Sequence, residues 1–256
     1  IEAARRAKEA IWKARRDARS LKVVGRGAGG DVTRGIDLVG ERAVIDFLRE
    51  KGVPCTVVSE ESGEVYLGSS ELVFFVDPLD GSTNFVRGIP FASVSIALGE
   101  GRLFSQLTHA IVLDIFRDEL FYAEKGKGSF LNGKPIRPLM NKLTDPVLSA
   151  DPKRVRDPRF FSGVGCVRHL GSVALELCYI ACGRMDLLVD PTGKLRGVDV
   201  AAGCFILREA GGGLLFLDGK PLDFRISYDE RVKFIAGPSE QKCKEYLRLA
   251  GLYRLE

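Results

Sequence analysis

Val73-Phe74-Phe75-Val76-Asp77-Pro78-Leu79-Asp80-Gly81-Ser82-Thr83-Asn84-Phe85 runs from an apolar stretch straight into two carboxylates. Leu72 to Val76 reads as a buried strand. Pro78 rules out ordinary strand continuation and stiffens the turn. Gly81 then permits close backbone approach, and Ser82-Thr83 reads as a helix start, whose free N–H groups and positive dipole end suit an anion. Carboxylates beside an anion site repel a phosphate unless a cation lies between them. Two hard oxygen ligands on a rigid turn suit Mg²⁺, which takes few protein carboxylates and completes its shell with water and phosphate oxygens. A plainer reading, two exposed aspartates at a turn with a helix cap, accounts for Asp80. It does not account for Asp77 at the end of so apolar a strand.

Working outward, Cys55 to Ser59 is another buried strand, and it too ends in acids, Glu60 and Glu61, which could join the same sheet end. Paired glutamates are also common on surfaces. Asp199, within Gly197-Val198-Asp199-Val200-Ala201-Ala202-Gly203, reads equally as a helix N-cap or as a further carboxylate for the site. Ile1, Ala4, Ile11 and Trp12 mark an amphipathic helix, and Ile36, Val39, Val44, Phe47 and Leu48 mark a second, stopped by Gly52 and Pro54. Between them, Gly25 to Gly30 is too glycine-rich to be regular and should form a mobile loop. Ala92 to Leu98 and Leu103 to Leu113 read as neighbouring strands, and Glu119 to Phe130 as a hairpin region.

The less structured stretch from Lys134 to Asp145 is the expected boundary between an N-terminal α+β lobe, residues 1–145, and a C-terminal α/β lobe, residues 146–256. In the second half, Val147 to Ala150, Met185 to Val189, Leu214 to Leu217 and Phe234 to Ala236 read as strands. Ser172 to Cys182, Val200 to Ala210 and Glu240 to Leu249 read as helices. The fold class is therefore α/β (α+β), with no internal repeat.

At 256 residues, 45% hydrophobic and 28% charged, the chain can bury a substantial core. No apolar run approaches the ~20 residues that span a bilayer, and the charged Ile1 to Ser20 has no signal-peptide core, so a cytoplasmic enzyme is expected. The missing initial methionine leaves room for residues before Ile1. The six cysteines form no CxxC pair, and Cys178 and Cys182 lie in apolar sequence, so buried small hydrophobes fit them better than metal or redox use. The early basic residues alternate with Glu2, Glu9 and Asp17, which favours a solvated helix face over nucleic-acid binding. Scarce Gln, Asn and Met against many charges suit a heat-adapted protein.

Glu60-Glu61-Ser62, the segment from Asp77 to Phe85, Asp199-Val200-Ala201-Ala202-Gly203 and Glu209-Ala210-Gly211-Gly212 together resemble the inositol monophosphatase superfamily, which includes fructose-1,6-bisphosphatases and bisphosphate nucleotidases. The resemblance implies a layered αβαβα sandwich with metals between two lobes. It implies that Glu60, Asp77 and the Leu79 carbonyl hold one Mg²⁺, and that Asp77, Asp80 and Asp199 hold a second. Asp31 would assist a third when its glycine loop closes. It further implies that Asp37 orients the Ser82 hydroxyl toward a metal-activated water attacking phosphorus in line, with the Gly81-Ser82-Thr83 amides holding the phosphate.

Arg168-His169-Leu170-Gly171-Ser172-Val173 resembles the family's substrate strand and helix start, so Gly171, Ser172 and Val173 would meet the polyol. Arg168 would meet a second phosphate or support the loop, and Lys194 and Arg196 would contact substrate or stand as solvated loop charges; His109 and His169 read as structural. Two features depart from the family pattern: Val198 stands where Trp often precedes the last aspartate, and the acid that binds a sugar hydroxyl has only Asp190 as a candidate. The expected activity is that of a dual-specificity phosphatase for inositol 1-phosphate and fructose 1,6-bisphosphate, working as a homodimer without nucleic-acid or membrane partners. The alternatives are a 3′-phosphoadenosine 5′-phosphate nucleotidase and a non-catalytic regulatory protein on the same fold.

Overall fold

The N-terminal helix α1 (Glu2–Ala14) buries Ala4, Ala7 and Ile11 against α2 (Gly35–Glu50), which turns Ile36, Val44 and Leu48 inward. The coordinates are a computed structural model that describes residues 1–139, 146–153, 155 and 157–252. Between the two helices the glycine-rich segment is more regular than expected. Strands β1 (Val23–Arg26) and β2 (Val32–Arg34) pair antiparallel, and Gly27 to Asp31 form the turn. The ladder closes because Gly27 N–H bonds the Asp31 carbonyl at 3.0 Å.

Strand β3 (Cys55–Ser59) lies between the two halves of β4 (Gly63–Asp80), so that Thr56 pairs with Tyr66 on one side and Val73 on the other. After the short helix α3 (Ser82–Arg87) come β5 (Ser93–Gly99), β6 (Leu107–Asp114), β7 (Leu120–Glu124), β8 (Gly128–Leu131) and β9 (Lys134–Pro135). These complete a seven-stranded sheet in the order β3-β4-β5-β6-β7-β8-β9. The strand expected from Leu103 starts only at Leu107. Phe104 to Gln106 form one turn of 3-10 helix, held by Asp223, which accepts from the Ser105 N–H and hydroxyl.

The second half supplies β10 (Val147–Ser149), β11 (Cys166–Arg168), α4 (Val173–Ala181), β12 (Leu187–Arg196), α5 (Gly197–Glu209), β13 (Gly213–Phe216), β14 (Arg231–Gly237) and α6 (Glu240–Leu249). Its five-stranded sheet runs β11-β10-β12-β14-β13. Two elements of this half extend beyond their expected bounds through an acid. β12 continues past Val189 because Asp190 accepts from Thr192 N and Oγ1, Lys194 N and Leu195 N. This satisfies a bulge before pairing with β14 resumes at Leu195. α5 begins at Gly197 because Asp199 accepts from the Arg196 N–H.

Three apolar clusters fill the gaps between five layers, matching the expected αβαβα sandwich. α1 and α2 cover one face of the large sheet, α4 and α5 fill the space between the sheets, and α6 covers the outer face of the small sheet. The middle cluster joins Phe75, Phe104 and Phe121 to Leu177, Phe205 and Phe234, and so crosses the expected lobe boundary. Of that boundary, 140–145 lie outside the described residues. Cys55, Cys178, Cys204 and Cys243 are buried and all six cysteines are free. Among the described residues, no helix is long and apolar enough to cross a membrane.

Candidate active site

Strand alternation decides where the first acids point. Phe75 and Val58 belong to the apolar layer between the sheets, and Asp77 and Glu60 stand two residues further along on the same parity. Both therefore emerge from the end of the large sheet toward α5, whose first turn carries Asp199. Glu60, Asp77 and Asp199 bring one ligand oxygen each to within 4.8 Å of one another. Three segments distant in sequence thus meet at one point.

The acids line a cavity of about 340 Å³ with Asp31, Leu79, Asp80, Gly81, Ser82, Thr83, Gly171, Val173, Lys194 and Arg196. Asp80 faces this cavity but stands outside the compact acidic group. Its Oδ2 accepts from Ser172 Oγ at 2.6 Å and Ala174 N at 2.8 Å, tying the turn to the start of α4. Ser172 is buried, and its hydroxyl is committed to Asp80 and Ser93 instead of the cavity. Gly81, at φ 88°, passes so close to the second half that a Cβ there would lie 2.9 Å from the Gly171 carbonyl oxygen.

Asn84 fastens this contact by donating to the Phe91 and Leu170 carbonyls at 2.8 and 2.6 Å. Asn84→Ala is expected to cost about 1–3 kcal/mol, because two carbonyls lose their donor. It should also raise KM for phosphate esters as the Gly81–Gly171 approach loosens. Urea denaturation and initial rates check both; unchanged stability and KM would show that the clamp is idle.

Some expected residues stand elsewhere. Arg168 is exposed, donates to the Val167 carbonyl at 2.9 Å, and does not line the cavity. The Ser82 hydroxyl receives a bond from Arg34 Nη1 at 3.2 Å, and the contact expected from Asp37 is not formed. Asp37 is occupied differently: its Oδ2 accepts from the Arg34 N–H at 2.7 Å, and its buried Oδ1 has no hydrogen-bond partner. Arg196, expected as a substrate contact or a solvated charge, is 4% exposed and reaches Glu60, Asp31 and Asp199. Asp190 borders the cavity with both oxygens engaged in the β12 bulge. His109 and His169 are exposed, the latter 4.0 Å from Asp151.

Two buried glutamates escaped the sequence reading. Glu41 accepts from the Ser59 hydroxyl and from Ser62 N and Oγ, and so holds the turn that presents Glu60. Glu176 accepts from Ser149 Oγ and from the Leu170 and Gly171 amides, and so holds the turn facing Gly81. Each is an acid in an otherwise apolar helical pattern, and that is the signal that could have found it.

Burial raises the acids' proton affinity. It lifts Asp77 well above the usual carboxylate range, and Glu60, Asp80 and Asp199 add repulsion. Glu60 is pushed up to about 8 by burial and then Asp199, against the pull of Arg196. Asp80 rises to about 7 through burial, with the Ser172 and Ala174 bonds opposing. Such a group calls for a counter-cation. Its donors are all carboxylate oxygens, and Asp199 Oδ1 is buried without a hydrogen-bond partner, so a hard divalent ion fits.

A sequence profile described as the inositol monophosphatase family matches residues 1–247. A fructose-1,6-bisphosphatase of Pyrococcus furiosus is 36% identical over 228 residues, 89% of this chain and 87% of that one. The Nus factor SuhB of Escherichia coli K12 is 33% identical over 223 residues, covering 83% and 81%. A crystal structure titled inositol monophosphatase–fructose 1,6-bisphosphatase superposes with a TM-score of 0.85 at 28% identity, covering 97% of this chain and 96% of that one.

Proposed function

The chain belongs to the inositol monophosphatase family, a family of phosphoric monoester hydrolases, and on that premise we propose that it hydrolyses inositol 1-phosphate and fructose 1,6-bisphosphate with Mg²⁺ as cofactor. One observation carries the reading: carboxylates from three distant segments converge within 4.8 Å beside the Gly81-Ser82-Thr83 turn. Glu60, Asp77 and Asp199 would hold the first ion, with Asp80, the Leu79 carbonyl and Asp31 available to others. Mg²⁺ there would polarise phosphate oxygens and make water a stronger nucleophile at neutral pH.

The chain's own residues do the rest. The backbone from Gly81 to Thr83 receives the phosphate at the start of α3. Arg34 fixes the Ser82 hydroxyl beside it. Asp80 and Asn84 keep the turn of Gly171 and the α4 start at a set distance, so that the polyol meets Gly171 and Val173 while the phosphate meets Ser82 and Thr83. Lys194, exposed at the rim, is placed for a second phosphate. The two lobes, residues 1–145 and 146–256, each supply part of the site, and the working protein would be a cytoplasmic homodimer with no nucleic-acid or membrane partner.

Phosphate release tests this. Inositol 1-phosphate, fructose 1,6-bisphosphate, 3′-phosphoadenosine 5′-phosphate and glycerol 2-phosphate should be compared with and without Mg²⁺, at room temperature and hot. Mg²⁺-dependent release from the first two is expected; preference for the nucleotide would replace the substrate assignment. The likeness to a Nus factor favours one further reading, a regulatory role. Release from none of the esters by a folded protein would make that reading the better one.

A further inference from the structure

We propose that Arg196 is the built-in counter-cation of the acid cluster, and that a divalent ion must displace it, releasing Asp31 as it binds. The proposal rests on the metal-dependent reading above and adds what the site does before the metal arrives.

Arg196 ends β12 at its junction with α5, and its N–H bonds Asp199 Oδ2 at 2.9 Å. From that fixed root the side chain turns back into the cluster. Its Nε lies 3.2 Å from Asp199 Oδ2, and its Nη2 lies 2.9 Å from Asp31 Oδ2 and bonds Glu60. One guanidinium thus bridges three segments: the β1–β2 turn, the end of β3 and the start of α5.

The turn is shaped around that guanidinium. A Cβ added to Gly29 would lie 2.0 Å from Arg196 Nη1, so the backbone can approach only because residue 29 is glycine. Gly29 is held there by its N–H to the Glu60 carbonyl at 3.1 Å, and Ala28 by its N–H to the Glu61 carbonyl at 3.0 Å. Even so, Nη1 is buried without a hydrogen-bond partner. The fork is committed to neutralising charge, and its hydrogen-bonding capacity is incompletely used.

Arg196 and a metal compete for the same carboxylates, the guanidinium taking Glu60 and Asp199 Oδ2 while Asp199 Oδ1 has no partner. Glu60 and Asp199 are two of the three acids that converge, and both are engaged by the guanidinium. A divalent ion among them would also stand beside a fixed positive charge. Without either cation, the buried carboxylates would repel one another. Arg196 therefore supports the metal-free fold at the expense of metal affinity. When its ion pairs break, Asp31 loses its ion-pair partner, and the glycine turn keeps only its backbone bonds from Gly29 and Ala28. Arg196 is a positioning residue in this scheme.

The test is calorimetric titration of Mn²⁺ into EDTA-stripped protein, with thermal unfolding measured at each end point. Arg196→Met keeps most of the stem and removes the charge. It should bind Mn²⁺ at least about tenfold tighter, the effect of losing one competing ion pair. It should also melt lower than the parent in EDTA and recover when saturated with Mn²⁺. If that variant is unfolded without metal, Arg196→Lys and Gly29→Ala carry the test. The first keeps the charge but not the bridging fork, the second crowds the guanidinium from its groove, and each should also tighten Mn²⁺ binding. Unchanged or weaker binding in the variants, with normal binding in the parent, would overturn this inference alone. No Mn²⁺ binding by the parent would overturn it together with the metal-dependent reading.

Discussion

Asp77→Asn is expected to lower phosphate release at saturating Mg²⁺ by more than about 100-fold while leaving the fold intact. Partners in the outer shell of a metal site already cost ~10–100-fold when removed, and a carboxylate facing the ion directly should cost more. Asp77 is 4% exposed at the convergence of Glu60 and Asp199. Asparagine has the same shape and keeps an oxygen that can accept from the Leu79 N–H, the bond Asp77 Oδ1 makes at 3.1 Å. The turn should therefore survive. In EDTA the variant should melt no lower than the parent, because one buried negative charge has gone from a cluster whose members repel. Rates with melting curves in EDTA give the answer. Near-full activity would mean that the acids at the end of β4 are not the ones that hold the metal.

The second large effect is on stability. In EDTA the melting temperature should fall as pH rises from about 5 to about 8, and Mg²⁺ should remove much of that fall. Burial lifts Asp37 to about 6, Glu61 to about 7, Asp80 to about 7 and Glu60 to about 8. A carboxyl whose folded value lies above its unfolded value binds more protons when folded. Stability is then fullest below the unfolded value and is lost as pH climbs through the folded one.

The opposite limb belongs to surface carboxylates such as Glu64 and Glu119, which hydrogen bonds from Arg102 and Arg184 hold below their usual range. Their contribution is lost only in stronger acid. For a chain of this size each kcal/mol moves the midpoint by about 2–4 °C, so a shift of several degrees is expected. Mg²⁺ bound to the ionised acids would stabilise the folded state by mass action. Calorimetric scans across pH with and without the ion decide it. A midpoint in EDTA that stays level or rises between pH 5 and 8 would show that these acids are not strained by burial.

Asp77 was legible because an acid at the end of Phe74-Phe75-Val76 has no structural reason to be there. Asp199 was legible only as one of two readings, and the structure makes both compatible: Oδ2 caps the helix while Oδ1 stays available. Arg196 was harder to place. Nothing local distinguishes it from Lys194 two residues earlier, yet one is buried and the other exposed. The difference is set by Asp31 and Glu60, both distant in sequence. Arg34 was opaque for a related reason, since its partners Ser82 and Thr83 lie across the fold. Asp190 shows the reverse error: an acid suggestive of ligand binding is consumed by the backbone it bends. Local pattern reveals where a charge departs from expectation, whereas its partner is a property of topology.

The central helices have a consequence for how the molecule can be divided. α4 and α5 belong in sequence to the second half, but Leu177, Phe205 and Leu207 pack with Phe75, Phe104 and Phe121 from the first. A chain cut near the midpoint would strip the large sheet of one whole apolar face, leaving it as sticky as an open core. Neither half is therefore a portable module that could be exchanged, fused or inherited without the other. The converging acids share that fate. Their convergence exists only where the two halves have already folded as one.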